Sequence, residues 1–177
     1  MPRLTMPVDP QRDHIQGLET APVTLVEYGD FQCPNCGEAY PIIKSIQKQM
    51  GRTLRFVFRH FPITESHPDA AHAAEASEAA AAQGKFWEMH DRLFEHQDDL
   101  GRRALHADAE QLGLDLRRFD DEMKAHSYAE RVREDFSAGL RSGVNGTPTL
   151  FINGERYDLP WDEEQWLLRA LQEAQAV

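Results

Sequence analysis

A chain of 177 residues, 41% of them hydrophobic, has room for one well-packed domain or one domain carrying an insertion. Its 30 acidic against 19 basic side chains leave a formal net charge of -11, which argues against nucleic acid as a partner and otherwise favours solubility. The two cysteines, Cys33 and Cys36, exclude a disulfide-stapled miniprotein, and no run is apolar for long enough to span a bilayer.

Residues 1–22 hold four prolines and little periodicity, so they are expected to form an N-terminal arm, with a short edge strand near His14 and Ile15. The first nine residues lack the apolar stretch of a signal peptide, which makes the cytoplasm the expected location; had a leader been trimmed away, the periplasm would replace it. Val23 to Tyr28 is a nearly continuous β-rich run stopped by Gly29-Asp30, the pattern of a central strand buried on both faces. Ala39, Ile42, Ile43, Ile46 and Met50 then recur at helical spacing as far as Gly51, with Pro41 inside and expected to kink the helix. Leu54 to Phe58 is a second strand, and strand–helix–strand order implies a parallel pair with a right-handed crossover.

Residues 64–143 contain no convincing strand. An alanine-rich helix over Ala70–Ala82 is broken at Gly84, and an amphipathic helix follows through Phe86, Trp87, His90, Leu93 and Phe94. Weaker helices are predicted over 103–112 and 115–124, and a clearer one through Val132, Phe136 and Leu140. Strand character returns at Thr149–Ile152, where Asn153-Gly154 is a strong two-residue hairpin turn into a strand near Arg156–Asp158. Asp162, with Gln165 three residues on, has the spacing of a capping box for a terminal helix presenting Trp166, Leu167, Ala170 and Leu171. Trp161 and Trp166 are expected to cover the sheet. The predicted organisation is an α/β domain, with a mixed sheet flanked by helices, built from 23–63 and 144–177 and interrupted by an all-helical insertion at 64–143.

Chemistry concentrates in Cys33-Pro34-Asn35-Cys36, between a buried strand and the helix after it. Cys33 falls at the helix N-cap, where unpaired N–H groups and the positive end of the dipole favour an anion, and Pro34 falls where a missing N–H costs nothing. A thiolate there can have its pKa lowered by roughly one to several units. Two intervening residues bring the second sulfur within one helical turn, so an exposed Cys33 would attack a disulfide and a more buried Cys36 would resolve the intermediate. C-x-x-C is also half of a zinc site, but the chain has no further cysteine, and His67 and His72 are far from Cys36 and about 140° apart on a helix. A purely structural disulfide would close a very small loop with little stabilisation. Glu27 lies six residues before Cys33 in an otherwise apolar strand; it is either a strand-end glutamate turned to water or a buried acid that needs a partner or a proton. Phe31 and Gln32 could present a small landing surface, while His60, His67 and His90 are expected as ordinary packed or surface histidines.

The stretches from Val26 to Cys36, Arg59-His60-Phe61-Pro62, Lys85 to His90 and Gly146-Thr147-Pro148-Thr149-Leu150-Phe151 resemble the DsbA-like branch of the thioredoxin superfamily, over about residues 12–175. The resemblance implies a thioredoxin fold with a helical domain inserted. It also implies thiol–disulfide exchange with protein or small-molecule thiols and disulfides, no cofactor or metal beyond the redox-active pair, and a separate, unidentified recycling partner. Glu27 would then be a buried acid beneath the pair, exchanging a proton with Cys36. Pro148, by itself only a proline at the start of a strand, would be cis and face the cysteines, with Thr147 offering backbone to an extended substrate beside Pro34 and Asn35. Asn35 departs from the basic residue common in strongly oxidising members, which leaves the direction of electron flow open. Two other readings compete: a glutathione-dependent transferase or isomerase of a related fold, which needs no second cysteine, and a non-enzymatic peptide-binding or chaperone module.

Overall fold

The computed structural model describes residues 1–177. Five strands form one sheet: β1 (His14–Gln16), β2 (Val23–Gly29), β3 (Leu54–His60), β4 (Thr149–Ile152) and β5 (Glu155–Tyr157), in the order β1-β3-β2-β4-β5. Only β2 and β3 run parallel, joined through helix α1 (Pro34–Met50); the other neighbours are antiparallel. Every residue of β2 is buried, as expected for a strand flanked on both sides and covered on both faces. The β4–β5 turn has Asn153 and Gly154 both at positive φ (49° and 84°), the geometry that such a two-residue hairpin requires.

Five helices lie between β3 and β4: α2 (Ala70–Ala81), α3 (Phe86–Glu95), α4 (Arg102–Gln111), α5 (Leu116–Lys124) and α6 (Ala129–Arg141). They do not form one separate lobe. Side chains of α2 to α5 join α1, the sheet residues Leu25, Phe56 and Phe58, and the terminal helix α7 (Glu164–Gln175) in a cluster of 28 buried residues. Helix α6 lies on the opposite face, where Phe136 packs with Leu4, Val8 and Ile15 against Val26, Tyr28, Val57, Phe61 and Phe151. Gly139 lets α6 approach: a Cβ there would sit 2.8 Å from the Phe61 ring and 3.0 Å from that of Tyr28. No helix is long and apolar enough to cross a membrane.

The segment before β1 is docked rather than loose, and the clamp is Arg59. Its side chain is fully buried, and its guanidinium donates to both oxygens of Asp13 at 2.9 Å, to the carbonyls of Met6 (2.8 Å) and Pro7 (3.2 Å), and to the Tyr28 hydroxyl (3.1 Å). Burial alone would raise the Asp13 carboxyl, but the hydrogen bond and charge of Arg59 win and hold it below its ordinary value. A second buried set adjoins it: Glu78 meets His14 (2.6 Å) and His60 (2.9 Å), and Asp135 accepts from the His60 N–H (3.0 Å) while pairing with Arg131 (2.6 Å) and Arg12 (2.8 Å).

Two local expectations are corrected. The terminal helix starts at Glu164 with Glu163 as N-cap and no side-chain cap bond, so Asp162 and Gln165 form no capping box; Asp162 lies one residue too early. Trp166 is 55% exposed, because Leu167 and Leu171 take the inward face of that helix, whereas Trp161 is partly buried against the core. Helix α1 runs from Pro34 to Met50 with Pro41 inside it, as the spacing predicts.

Removing the clamp leaves a buried carboxylate without its cation. Arg59→Met is therefore expected to cost about 3–5 kcal/mol in urea denaturation, and a loss below 1 kcal/mol would show that the Asp13–Arg59 pair does not hold the arm.

Candidate active site

The chain leaves β2 at Gly29 and turns through Asp30, Phe31 and Gln32 into α1. Asp30 builds the turn: its buried carboxylate accepts from the N–H of Gln32 (2.8 Å), Cys33 (3.1 Å) and Ile63 (2.9 Å), and lies 2.8 Å from Nδ1 of His67. From the far side, Gln97 donates through Nε2 to the carbonyls of Phe31 (2.8 Å) and Cys33 (2.9 Å). Both backbone ends of this turn are thus tied down before the helix begins.

Cys33 is the N-cap of α1, with extended backbone (φ -70°, ψ 123°) and no side-chain cap bond, and Pro34 opens the helix. The sulfur is left facing the helix end. The Cys36 thiol does most to pull the Cys33 pKa down; against the cost of burial, the Thr147 hydroxyl and the N–H groups of Cys36 and Asn35 add to it, and the thiol titrates at about 5. Thr147 Oγ1 is buried with no other partner, so its hydroxyl is free to donate to the thiolate, while the protonated thiol donates to the Thr147 carbonyl at 3.5 Å. The Thr147–Pro148 peptide is cis. Cys36 stands one turn further on and has no exposure; burial raises its thiol well above the ordinary value, and the hydrogen bond to Cys33 and the charges of Glu27 and Cys33 push the same way.

The expected exposure of Cys33 is corrected: only 6% of it is accessible, because the loop carrying Thr147 lies over the sulfur. Pro34 and Asn35, next to Cys33 in the chain, are exposed. Phe31 is no landing surface; it is buried and stacked on Phe58, with ring centroids 5.0 Å apart.

Glu27 is 2% exposed in the middle of β2, between Phe58 of β3 and Leu150 of β4. Its Oε1 has no hydrogen-bond partner, and Glu27 lines a small cavity with Tyr40, Lys44, His90 and Phe94. Burial first, and the negative charge of Cys33 second, push it up to about 8. Of the histidines considered, His90 is buried against Phe58 and Phe94, His60 lies in the Glu78 pair, and His67 serves Asp30. The turn residues Asp30 and Gln97 were missed by sequence reasoning. Asp30 had a local signal, an Asp two and three residues before the N–H groups it caps; Gln97 had none, since 64 residues separate it from Cys33.

A family model described as Thioredoxin matches residues 9–172. The chain belongs to the thioredoxin family. Its fold is that of the DsbA-like proteins: it superposes on BdbD from Bacillus subtilis with a TM-score of 0.87 at 21% identity, covering 100% of both chains. It also matches alpha-DsbA1 from Wolbachia pipientis with 0.83 at 18% identity, covering 98% of this chain and 94% of that one. In sequence it is 46% identical over 172 residues to a Na(+)/H(+) antiporter NhaA 1 of Mycolicibacterium gilvum, covering 96% of this chain and 28% of the relative. A Na(+)/H(+) antiporter NhaA 3 of Salinispora tropica is 49% identical over 161 residues, covering 91% of this chain and 24% of the relative. The chain thus spans about a quarter of the length of these curated relatives.

Two measurements check the electrostatics. The rate of iodoacetamide alkylation of Cys33 in the reduced protein should rise with a midpoint near pH 5; a midpoint above 8 would mean that the site does not hold an anion. Folded Glu27 keeps its proton to about pH 8, whereas its ordinary value is 4.5. Between these values the folded state binds the extra proton, so its share of stability is complete below about 4.5 and is lost as pH rises through about 8. Glu27→Gln should remove that slope and raise stability at pH 8 by on the order of 4 kcal/mol; an unchanged slope would refute a buried, protonated Glu27.

Proposed function

We propose that this chain is a thiol–disulfide oxidoreductase that exchanges disulfides with protein or small-molecule thiols through Cys33 and Cys36. The observation that carries this reading is the opposed bias of two neighbouring sulfurs: one favoured as an anion and slightly accessible, the other without exposure and holding its proton. The Cys33 thiolate attacks a substrate disulfide, an S–S bond forms to the near sulfur, and the far sulfur leaves as thiolate. Cys36 then gives up its proton and attacks Cys33, releasing the second substrate sulfur and leaving the Cys33–Cys36 disulfide. Run backwards, the same steps oxidise a dithiol.

Glu27 is the base for the second step. While Cys33 is a thiolate its charge helps to keep Glu27 protonated. The mixed disulfide has no such charge, so the Glu27 pKa falls at the stage when Cys36 must lose a proton. The Thr147 carbonyl accepts from the Cys33 thiol, and the Thr147 backbone suits an extended substrate segment, for which Pro148 and the exposed Pro34 and Asn35 would complete the groove. The chain needs no cofactor beyond the pair itself, and a separate redox partner recycles it.

Insulin reduction in the presence of a thiol reductant tests the reading. The intact chain should be active and Cys33→Ser should lose activity by at least a hundredfold, while Cys36→Ser should accumulate the mixed disulfide, visible as a mass adduct on Cys33. Absence of activity in the intact chain, with peptide binding indifferent to both cysteines, would overturn it in favour of a binding module. In stopped-flow measurements Glu27→Gln should slow release of the mixed disulfide at neutral pH by roughly tenfold or more; equal release rates would remove Glu27 from the mechanism.

A further inference from the structure

A second group of ligand-type side chains lies away from the cysteines, among the helices between β3 and β4. His72 and Glu75 are three residues apart on α2 and so share a face, and His126 reaches them from the corner between α5 and α6. Glu75 is only 5% exposed, and its one side-chain partner is His126, whose Nδ1 donates to Oε1 at 3.0 Å. The rings of His72 and His126 are tilted by 31° with centroids 5.7 Å apart. One donor atom from each of the three residues lies within 4.8 Å of the other two. His126 also holds a left-handed backbone (φ 52°), an uncommon state for a residue with a side chain, at the corner that returns the chain to α2. Clefts open on both sides of it, one floored by Phe119 and Met123, the other by Ala129 and Phe136.

We propose that His72, Glu75 and His126 form a binding site for a divalent transition cation of the zinc type, separate from the cysteine pair. Two imidazoles and one carboxylate are a donor set of intermediate softness, suited to zinc, cobalt or nickel rather than to the all-oxygen preference of calcium or magnesium. Zinc bonds of about 2.0–2.2 Å place neighbouring donors roughly 3.3 Å apart. The Glu75–His126 pair already meets that spacing, and the exposed His72 ring closes the remainder by turning about its side-chain bonds. Three protein donors beside open clefts leave a fourth position for water, as in an open metal site. Arg102 and Lys124 line one of those clefts against a single carboxylate, Asp120, so binding depends on the three donors and not on a general negative field.

The ion would cross-link α2 to the α5–α6 corner. That helix begins beside the cysteines, since the N–H of Asp69, three residues before His72, donates to Gln32 at 2.7 Å. A metal here therefore stiffens the support of the active-site turn without touching its sulfurs.

The test uses the full chain with Cys33→Ser and Cys36→Ser, so that no thiolate competes for the ion. Zinc titration by calorimetry should give one site per chain, at micromolar affinity or tighter, together with a rise in thermal midpoint. His72→Ala and His126→Ala, both at exposed positions, should each weaken binding at least tenfold and abolish the thermal shift. Cobalt should give visible absorption that these variants lose. Glu75→Gln should do the same, and circular dichroism checks that it remains folded. No binding, a stoichiometry other than one, or a loss below tenfold in both histidine variants would overturn the proposal, the last two outcomes marking scattered capture by other surface histidines.

Discussion

A negative charge on a nearly buried sulfur is the condition that the rest of the site serves. Cys33 has 6% accessibility, so its thiolate is solvated mainly by protein donors. The helix end supplies the N–H groups of Asn35 and Cys36, but these are available only because no side chain caps α1. Asp30 makes this arrangement possible: it takes the N–H groups of Gln32 and Cys33 just before the helix, in an Asx-type turn of its own. A serine or aspartate at position 33 would have capped the helix and removed the anion site. The carbonyl ends of the same turn are taken by Gln97, between α3 and α4, so the segment inserted between β3 and β4 holds the Cys33 backbone.

The helices of this segment are bound to the sheet by charge as well as by apolar contact. Helix α2 reaches β1 and β3 through Glu78, His14 and His60; helix α6 reaches the arm and β3 through Asp135, Arg12 and the His60 N–H. Each of these groups is costly to bury alone, and each finds its partner on a different element. The set is therefore a device that fixes how the helices, the arm and the sheet sit together. It matters at the site because Asp30 also binds the N–H of Ile63 just after β3, so that the end of this strand and the active-site turn move as one piece.

What could be seen in the sequence follows from range. The central strand, the N-cap cysteine, the Asn153-Gly154 hairpin and the long helices carry their causes within a few residues, and element boundaries predicted from spacing lie close to those observed. The docking of the arm did not, because its cause is Arg59 meeting Asp13 across 46 residues. Helix α6 had the right periodicity, but nothing local says that its apolar stripe faces the opposite side of the sheet from α2 to α5. Trp166 misled for the opposite reason: a large aromatic on a terminal helix suggests cover, yet Leu167 and Leu171 already fill the inward face.

Glu27 shows where stability and chemistry pull apart. A leucine in this register, between Phe58 and Leu150, would extend the apolar core without a desolvation cost, whereas the acid leaves Oε1 unpartnered and must keep its proton through neutral pH. No neighbouring cation relieves it: burial leads the upward shift, and the charge of Cys33 adds to it. A group so placed weakens the fold as pH rises, and its charge coupling is with the sulfur pair, where its charge in turn raises Cys36. That mutual dependence is what a proton carrier requires, because the affinity of the carboxyl for its proton then changes whenever the charge on Cys33 does.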